Sequence, residues 1–300
     1  MSDIITHRAG YSSDNDNVGI AKYRADEMID GILRDTEASE FRLFLSDSAE
    51  NNFRYQIDPT YKANRVAPKP VHLEDLKEHL IVRWGARIAH GMEADDALGI
   101  NQHFEWVDFG MACPKPEGAW FLGSPMCPEA YGTTVVCSID KDLLQIPGLH
   151  YNFVKKEKIL VTPEDGLLSF YRSILIGDVA DNIKGVYGIG PAKAAKILPK
   201  WESEHVAVAA IVGAYMAGLY VAKFGKKANQ IYPGLEKEAK DIIRRNGQLL
   251  KIKQSEEEPN WDSQYLALTE ELPAPSIPKT EAVSSPSTEP TTPATMSSVG

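Results

Sequence analysis

Residues 177–198 read GDVADNIKGVYGIGPAKAAKIL, which places two aspartates, a glycine-rich turn and three lysines in direct succession. Asp178 and Asp181 are three apart, so a helix starting here would carry both on one face. The turn from Gly185 to Gly190 leads into Pro191, a residue suited to a first helical turn. Backbone N–H groups exposed at such a helix entrance make phosphate the natural ligand. A dinucleotide-binding loop would need a third glycine where Lys193 stands, and no Walker lysine pattern is present. Lys184, Lys193, Lys196 and Lys200 line the stretch, with no acidic residue between Asp181 and Glu202, and residues 222–253 add nine basic against three acidic residues. This combination reads as a handle on a nucleic-acid backbone, which positions a duplex without reading its sequence.

Outward from this stretch, short apolar runs alternate with longer amphipathic ones. Phe41-Arg42-Leu43-Phe44-Leu45 reads as a buried strand ending at Ser46-Asp47, and the β-branched run from Thr133 to Ile139 as another ending at Asp140-Lys141-Asp142. Between them, Leu73, Leu76, Leu80 and Ile81 recur at helical spacing within residues 71–84. Such alternation predicts an α/β sheet, and acidic residues at the carboxyl ends of strands lie where open α/β sheets bind ligands. From about Leu167 the pattern turns helical. The expected organisation is an α/β domain over 1–166, a smaller helical domain over 167–254 and a tail over 255–300. Residues 105–132, dotted with Gly, Pro and Trp, read as a long insertion loop.

Four acidic groups follow apolar runs: Asp47; Glu93, Asp95 and Asp96; Asp140 and Asp142; and Asp178 and Asp181. Singly, each has an ordinary reading as a helix N-cap or a solvated first turn. Together on one sheet edge they could not stay ionised unaided, because two carboxylates about 5 Å apart repel by roughly 3 kcal/mol at an effective dielectric of about 20. Such a group binds protons or collects cations. All-oxygen ligation favours Mg²⁺ or Mn²⁺ over zinc, and a pair of such ions clamps the attacking and leaving oxygens of a phosphodiester. Tyr61-Lys62-Ala63-Asn64-Arg65 is a cationic patch lying between Asp47 and the Glu93 group. It reads either as a solvated loop or as a site giving Lys62 and Arg65 to a phosphate and Tyr61 to a base face.

The formal net charge of −10 argues at first against a nucleic-acid partner. Its distribution argues otherwise. Residues 255–300 hold eight acidic residues and one lysine, so the tail carries most of the imbalance. From Leu272 this tail is rich in Pro, Ser and Thr and is expected to be disordered. Cys113, Cys127 and Cys137 form no CxxC pair and read as reduced thiols in a cytosolic protein. The N-terminus shows no secretory signal pattern. The uncharged run Val206 to Ala222 is Ala/Gly-rich and reads as a packed core helix in preference to a membrane span.

The order Asp47, YKANR at 61–65, EADD at 93–96, DKD at 140–142 and GDVADNIKGVYGIG at 177–190 resembles the 5′ nucleases. These comprise the bacteriophage 5′–3′ exonucleases or flap endonucleases and the 5′-nuclease domain of bacterial DNA polymerase I. The resemblance spans roughly residues 1–200 and extends toward 250. It implies a PIN-like α/β mixed sheet with flanking helices, an arch near 50–80 and a helix-three-turn-helix DNA-binding module. It further implies that Asp47, Glu93, Asp95 and Asp96 hold one divalent ion, and that Asp140, Asp142, Asp178 and Asp181 serve a second. Lys62 and Arg65 match catalytic arch residues at the scissile phosphate. Gly185, Gly188 and Gly190, with Tyr61, Lys184, Lys193 and Lys196 beside them, match the DNA-gripping surface, where the family also holds a monovalent cation such as K⁺. The implied activity is metal-assisted hydrolysis of DNA, or of RNA primers, at a 5′ end, flap or primer junction by a monomer. One departure stands out. Relatives carry a strand ending in Asp-x-Asp-Ile-Ile, whereas here Met1-Ser2-Asp3-Ile4-Ile5 puts Met1 where the first ligand aspartate is expected. The alternative reading is therefore a non-catalytic binder of branched or gapped DNA.

Overall fold

The computed structural model describes residues 1–102, 134–225, 234–256 and 261–270. The expected insertion at 105–132, with Cys113 and Cys127, and the tail beyond 270 lie outside the described residues. In chain order the helices are α1 (Ile4–Tyr11), α2 (Val18–Thr36), α3 (Phe53–Ile57), α4 (Leu73–Trp84), α5 (Ala94–Asn101), α6 (Pro163–Ile176), α7 (Pro191–Ile197), α8 (Glu204–Phe224), α9 (Leu235–Leu250) and α10 (Trp261–Glu270). The strands are β1 (Phe44–Ser46), β2 (Arg87–Ala89), β3 (Val135–Cys137), β4 (Gly148–Asn152), β5 (Glu157–Val161), β6 (Gly177–Asp178) and β7 (Ile183–Lys184).

Local chemistry explains where these elements begin and end. The Asn17 side chain accepts from the Ile20 N–H at 3.2 Å and caps α2, while Thr162 accepts from the Asp165 N–H at 3.1 Å and caps α6 ahead of Pro163. The α4 helix ends at Gly85, whose φ of +65° lies in the left-handed region that glycine adopts without steric cost. Both strands expected from the sequence are present. β1 pairs in parallel with β2, with Leu45 opposite Ile88, and β3 pairs in parallel with β4, with Val136 opposite His150. β5 closes that second sheet antiparallel to β4, so the architecture is α/β with mixed pairing. The sheet is split, however: a cavity of about 630 Å³, lined by Phe44 on one side and Val135, Val136 and Cys137 on the other, lies between β1 and β3. Met1 is among the residues that line it, its amino group donating to Arg42 O at 3.2 Å and its carbonyl accepting from the Phe44 N–H at 3.0 Å.

Two principal cores hold the molecule. The first buries Ile5, Ile29, Leu43, Leu45, Leu76 and Leu80 beneath α1, α2 and α4. The second buries Tyr171, Ile174, Val208, Ile211, Ile243 and Trp261 among α6, α8, α9 and α10. α8 is long and apolar enough to cross a membrane by length and composition, and its Ala207, Val208, Ile211, Val212 and Tyr215 are buried in this second core.

The tail boundary at 255 needs correction. Residues 261–270 form α10, with Trp261, Tyr265 and Leu268 buried against α6 and α9. The spacing of four and then three residues is an apolar helical stripe, and the Glu256–Glu258 run ahead of it masks that signal in a composition-based reading.

Candidate active site

α5 carries the acidic centre. Its entry is set by Asp96, which accepts from the Glu93 N–H at 3.1 Å, a reach-back contact across the first turn. Asp96 is fully buried and grips Arg54 with two hydrogen bonds of 2.5 and 2.9 Å, then takes a third from the Lys253 N–H at 3.1 Å. Burial alone would raise the Asp96 carboxyl, but the Arg54 guanidinium and these hydrogen bonds hold it below the ordinary carboxylate range. Arg54 spends its other donors on Leu249 O at 2.8 Å and Lys251 O at 2.9 Å. Asp96 thus anchors α3, α5 and the chain after α9 to one another, and its expected role as a metal ligand is corrected to that of a buried ion-pair partner.

One residue earlier, Asp95 has the opposite environment. Partial burial, followed by the negative charges of Asp140, Glu93, Asp3 and Asp96, pushes its carboxyl up to about 8. Asp142 is similarly pushed up to about 6 by burial, by Asp140 and Asp178, and by a hydrogen bond with Asp178. Asp95, Asp140, Asp142 and Asp178 therefore share one electrostatic centre, although they come from α5, from the turn after β3 and from β6. Asp3 joins them: its carboxylate accepts from the Ser46 N–H at 3.0 and 3.1 Å, and its charge reaches Asp95. The sequence marks Asp3 only by its place two residues after Met1.

Asp47 stands apart. It accepts from the Gly91 N–H at 2.8 Å, the Ser48 N–H at 2.7 Å and the Asn51 side chain at 3.1 Å, and these bonds lower its carboxyl below the ordinary value. These bonds brace the turn after β2. The main charges acting on Asp95 and Asp142 are those of other carboxylates, Asp140 first among them.

Asp178 ends β6 and Asp181 lies in the turn between β6 and β7, so the two do not share a helix face. Asp178 accepts from the Ala180 N–H at 2.7 Å and the Asp181 N–H at 3.3 Å, the local side-chain-to-backbone bonding that lets aspartate compete with helix formation. Asp181 faces the 58–66 loop. Tyr61 bridges Asp181 and Glu93 with oxygen separations of 2.9 and 3.2 Å, Lys62 pairs with Glu93 and stands 3.7 Å from Asp181, and Arg65 pairs with Asp181. Tyr61 is 3% exposed, so stacking on a nucleic-acid base is corrected to a buried role, in which its ring meets Tyr55 edge-on at 5.3 Å.

The donor set is all oxygen, and the raised carboxyls of Asp95 and Asp142 mark negative charge without a matching cation, which is the chemistry a hard divalent ion satisfies. Among the described residues no three His, Cys, Asp or Glu side chains converge as a preformed ligand set. Glu93, Asp96 and Asp181 are paired with Lys62, Arg54 and Arg65.

The glycine turn lies beyond β7. Gly188 has φ +74°, and Lys193 donates to its carbonyl at 2.7 Å, bracing the turn. Lys184, Lys193 and Lys196 are exposed, while Gly190 has open space where a Cβ would stand. Gly185 differs: a Cβ there would meet the backbone of Ile176 at 2.3 Å, so this glycine serves close packing and its assignment to DNA contact is corrected. Gly185→Ala is expected to lower stability by about 2–3 kcal/mol, since backbone on both sides must shift. An unchanged thermal midpoint would contradict this placement.

Comparison with solved structures covers most of the chain. The T5 D15 protein co-crystallised with metal ions superposes with a TM-score of 0.50 at 15% identity, covering 87% of this chain and 88% of that one. The fold is that of the 5′ nucleases. Another 5′-nuclease structure, the bacteriophage T5 D15 flap endonuclease in complex with DNA and metal ions, aligns at 15% identity and TM-score 0.49 over 83% of this chain and 90% of that one. A curated relative, DNA polymerase I of Rhizobium leguminosarum, is 26% identical over a 174-residue alignment that covers 52% of this chain and 14% of the polymerase. No family model matches the sequence.

Proposed function

We propose that this chain is a divalent-metal-dependent 5′ nuclease that hydrolyses phosphodiester bonds in DNA at a 5′ end, flap or primer junction. The observation that carries the reading is the uncompensated acidic centre of Asp95, Asp140, Asp142 and Asp178, set beside Lys62 and Arg65 in a 5′-nuclease fold. Asp95, Asp140, Asp142, Asp178 and Asp3 would hold two Mg²⁺ or Mn²⁺ ions, with Glu93 and Asp181 at their margin. Ions bound there supply an activated water and neutralise charge developing on the phosphate. Lys62 and Arg65 bind and orient the scissile phosphate. The turn at Gly188 and Gly190, with Lys184, Lys193 and Lys196, grips the duplex backbone as a helix-three-turn-helix module, with K⁺ as a candidate ligand of the turn. The chain acts as a monomer in the cytoplasm in this reading.

The test incubates the purified protein with a 5′-flap duplex and Mg²⁺, beside the Asp140→Ala/Asp178→Ala variant. Cleavage by the parent and at least about a thousandfold less by the variant is expected, because metal assistance contributes several kcal/mol and each 1.4 kcal/mol is tenfold in rate. Equal product from both would sink the assignment. Tight flap binding without cleavage, with or without Mg²⁺, would instead identify a binder of branched DNA.

A further inference from the structure

The 58–66 loop is tied to residues 180–182 by backbone and side-chain hydrogen bonds. The Lys62 N–H donates to Asp181 O at 3.0 Å, Arg65 Nε donates to Ala180 O at 3.2 Å, and Asn182 donates to Thr60 O at 2.9 Å. Lys62 itself has φ +56°, a left-handed conformation that a non-glycine residue keeps only where its surroundings enforce it. Tyr61 is buried beside Ile183 and Leu249 and reaches both Glu93 and Asp181 through its hydroxyl. Two carboxylates 88 positions apart in sequence are thereby held around a single point. That point is taken by the Lys62 ammonium, paired with Glu93 and 3.7 Å from Asp181, with its nitrogen 4.8 Å from the Tyr61 ring centroid.

We propose that Lys62 is a tethered counter-cation for the Glu93–Asp181 pair, with Tyr61 as the positioning residue, and that a divalent ion entering the acidic centre displaces the Lys62 ammonium toward substrate phosphate. The bonds from the Lys62 N–H to Asp181 O and from the Asn182 side chain to Thr60 O keep the loop in place, so the exchange needs only rotation of a long, flexible side chain. The Lys62 side chain is 17% exposed, so it is not sealed within the protein. Two divalent charges and an ammonium cannot all sit against the same carboxylates without repulsion, whereas an outward ammonium meets the negative charge of a phosphate. Metal loading and phosphate capture are then steps of one ion exchange. Tyr61 stays behind, because removing its ring would open the small core it shares with Ile183 and Leu249.

The inference rests on the proposed metal-dependent reading, and its test separates the two. Full-length protein is titrated with Mn²⁺, without nucleic acid, by calorimetry, and Lys62 is footprinted with an acetylating reagent read by mass spectrometry. The parent is expected to show Lys62 protected without metal and at least fivefold more reactive at saturation. Lys62→Met is expected to bind Mn²⁺ several-fold more tightly, and Tyr61→Phe more weakly, with Lys62 partly reactive before metal is added. Metal binding that leaves Lys62 protected, together with an unchanged affinity in Lys62→Met, would overturn this exchange while leaving the nuclease reading intact. No Mn²⁺ binding by either the parent or Lys62→Met would overturn both.

Discussion

Arg54→Met is expected to destabilise the protein by about 3–5 kcal/mol, the cost of removing one partner from a buried ion pair and leaving the other charge without compensation. Asp96 has no exposure to solvent, and of its four hydrogen bonds only the two from the Glu93 and Lys253 N–H groups survive the substitution. Leu249 O and Lys251 O lose their donor at the same time, so the chain after α9 loosens from α3 and α5. Urea unfolding of the folded variant measures the loss. The pH dependence has a definite sign. Because the Asp96 carboxyl is depressed in the folded protein, its stabilisation is complete above the unfolded carboxylate range near 3.8 and fades as pH falls through its folded value. Arg54→Met/Asp96→Leu, which removes both charges, is expected to recover much of the stability. A single variant that unfolds at the same urea concentration as the parent would show that the pair carries no such load.

Asp95→Asn is expected to act in the opposite direction on the metal-free protein. The folded carboxyl titrates at about 8 against an ordinary 3.8, so between those values the folded protein holds a proton that the unfolded chain has released. Stability from this group is present below the unfolded value and is lost as pH rises toward 8. Each tenfold change in proton affinity corresponds to about 1.4 kcal/mol. With Asp95 only half-buried and screened accordingly, the metal-free Asn variant is expected to be about 2 kcal/mol more stable than the parent near pH 8 and equal to it near pH 4. Mg²⁺ is expected to reverse the ranking, stabilising the parent and leaving the variant nearly unmoved, because a bound ion takes over the neutralising role of the proton. Thermal midpoints at both pH values, with and without Mg²⁺, give all four comparisons. A parent whose stability does not fall between pH 5 and pH 8 would contradict the assigned environment of Asp95.

How far these features can be read from the sequence depends on their range. The helix over residues 71–84 appears as α4 (Leu73–Trp84), and the runs at 41–45 and 133–139 contain β1 and β3, because periodicity is a local signal. The motif at 177–198 was legible as a turn between acidic and basic residues, yet the same string gave no means of telling Gly185, wedged on Ile176, from Gly188 and Gly190 in the open turn. Asp178 and Asp181 read as a helix face but form a turn, since the short-range bond from Asp178 to the Ala180 N–H competes with a helix. Arg54 left no signal at all, being one arginine in an unremarkable stretch, and Tyr61 beside two cations looked like a stacking surface until its burial was known.

The supply of chemistry is written in the chain: eight carboxylates after apolar runs, a cationic loop and a glycine turn backed by lysines. The partnership of each charge is set by folding. Asp95 and Asp96 are neighbours in the chain, yet one carboxyl is raised to about 8 and the other is depressed. The difference comes from Arg54, 42 positions from Asp96 in sequence, and from Asp140, contributed by the turn after β3. Coulomb interactions fall with distance in space and take no account of separation along the chain, so the role of a carboxylate is settled by the charges that folding brings beside it.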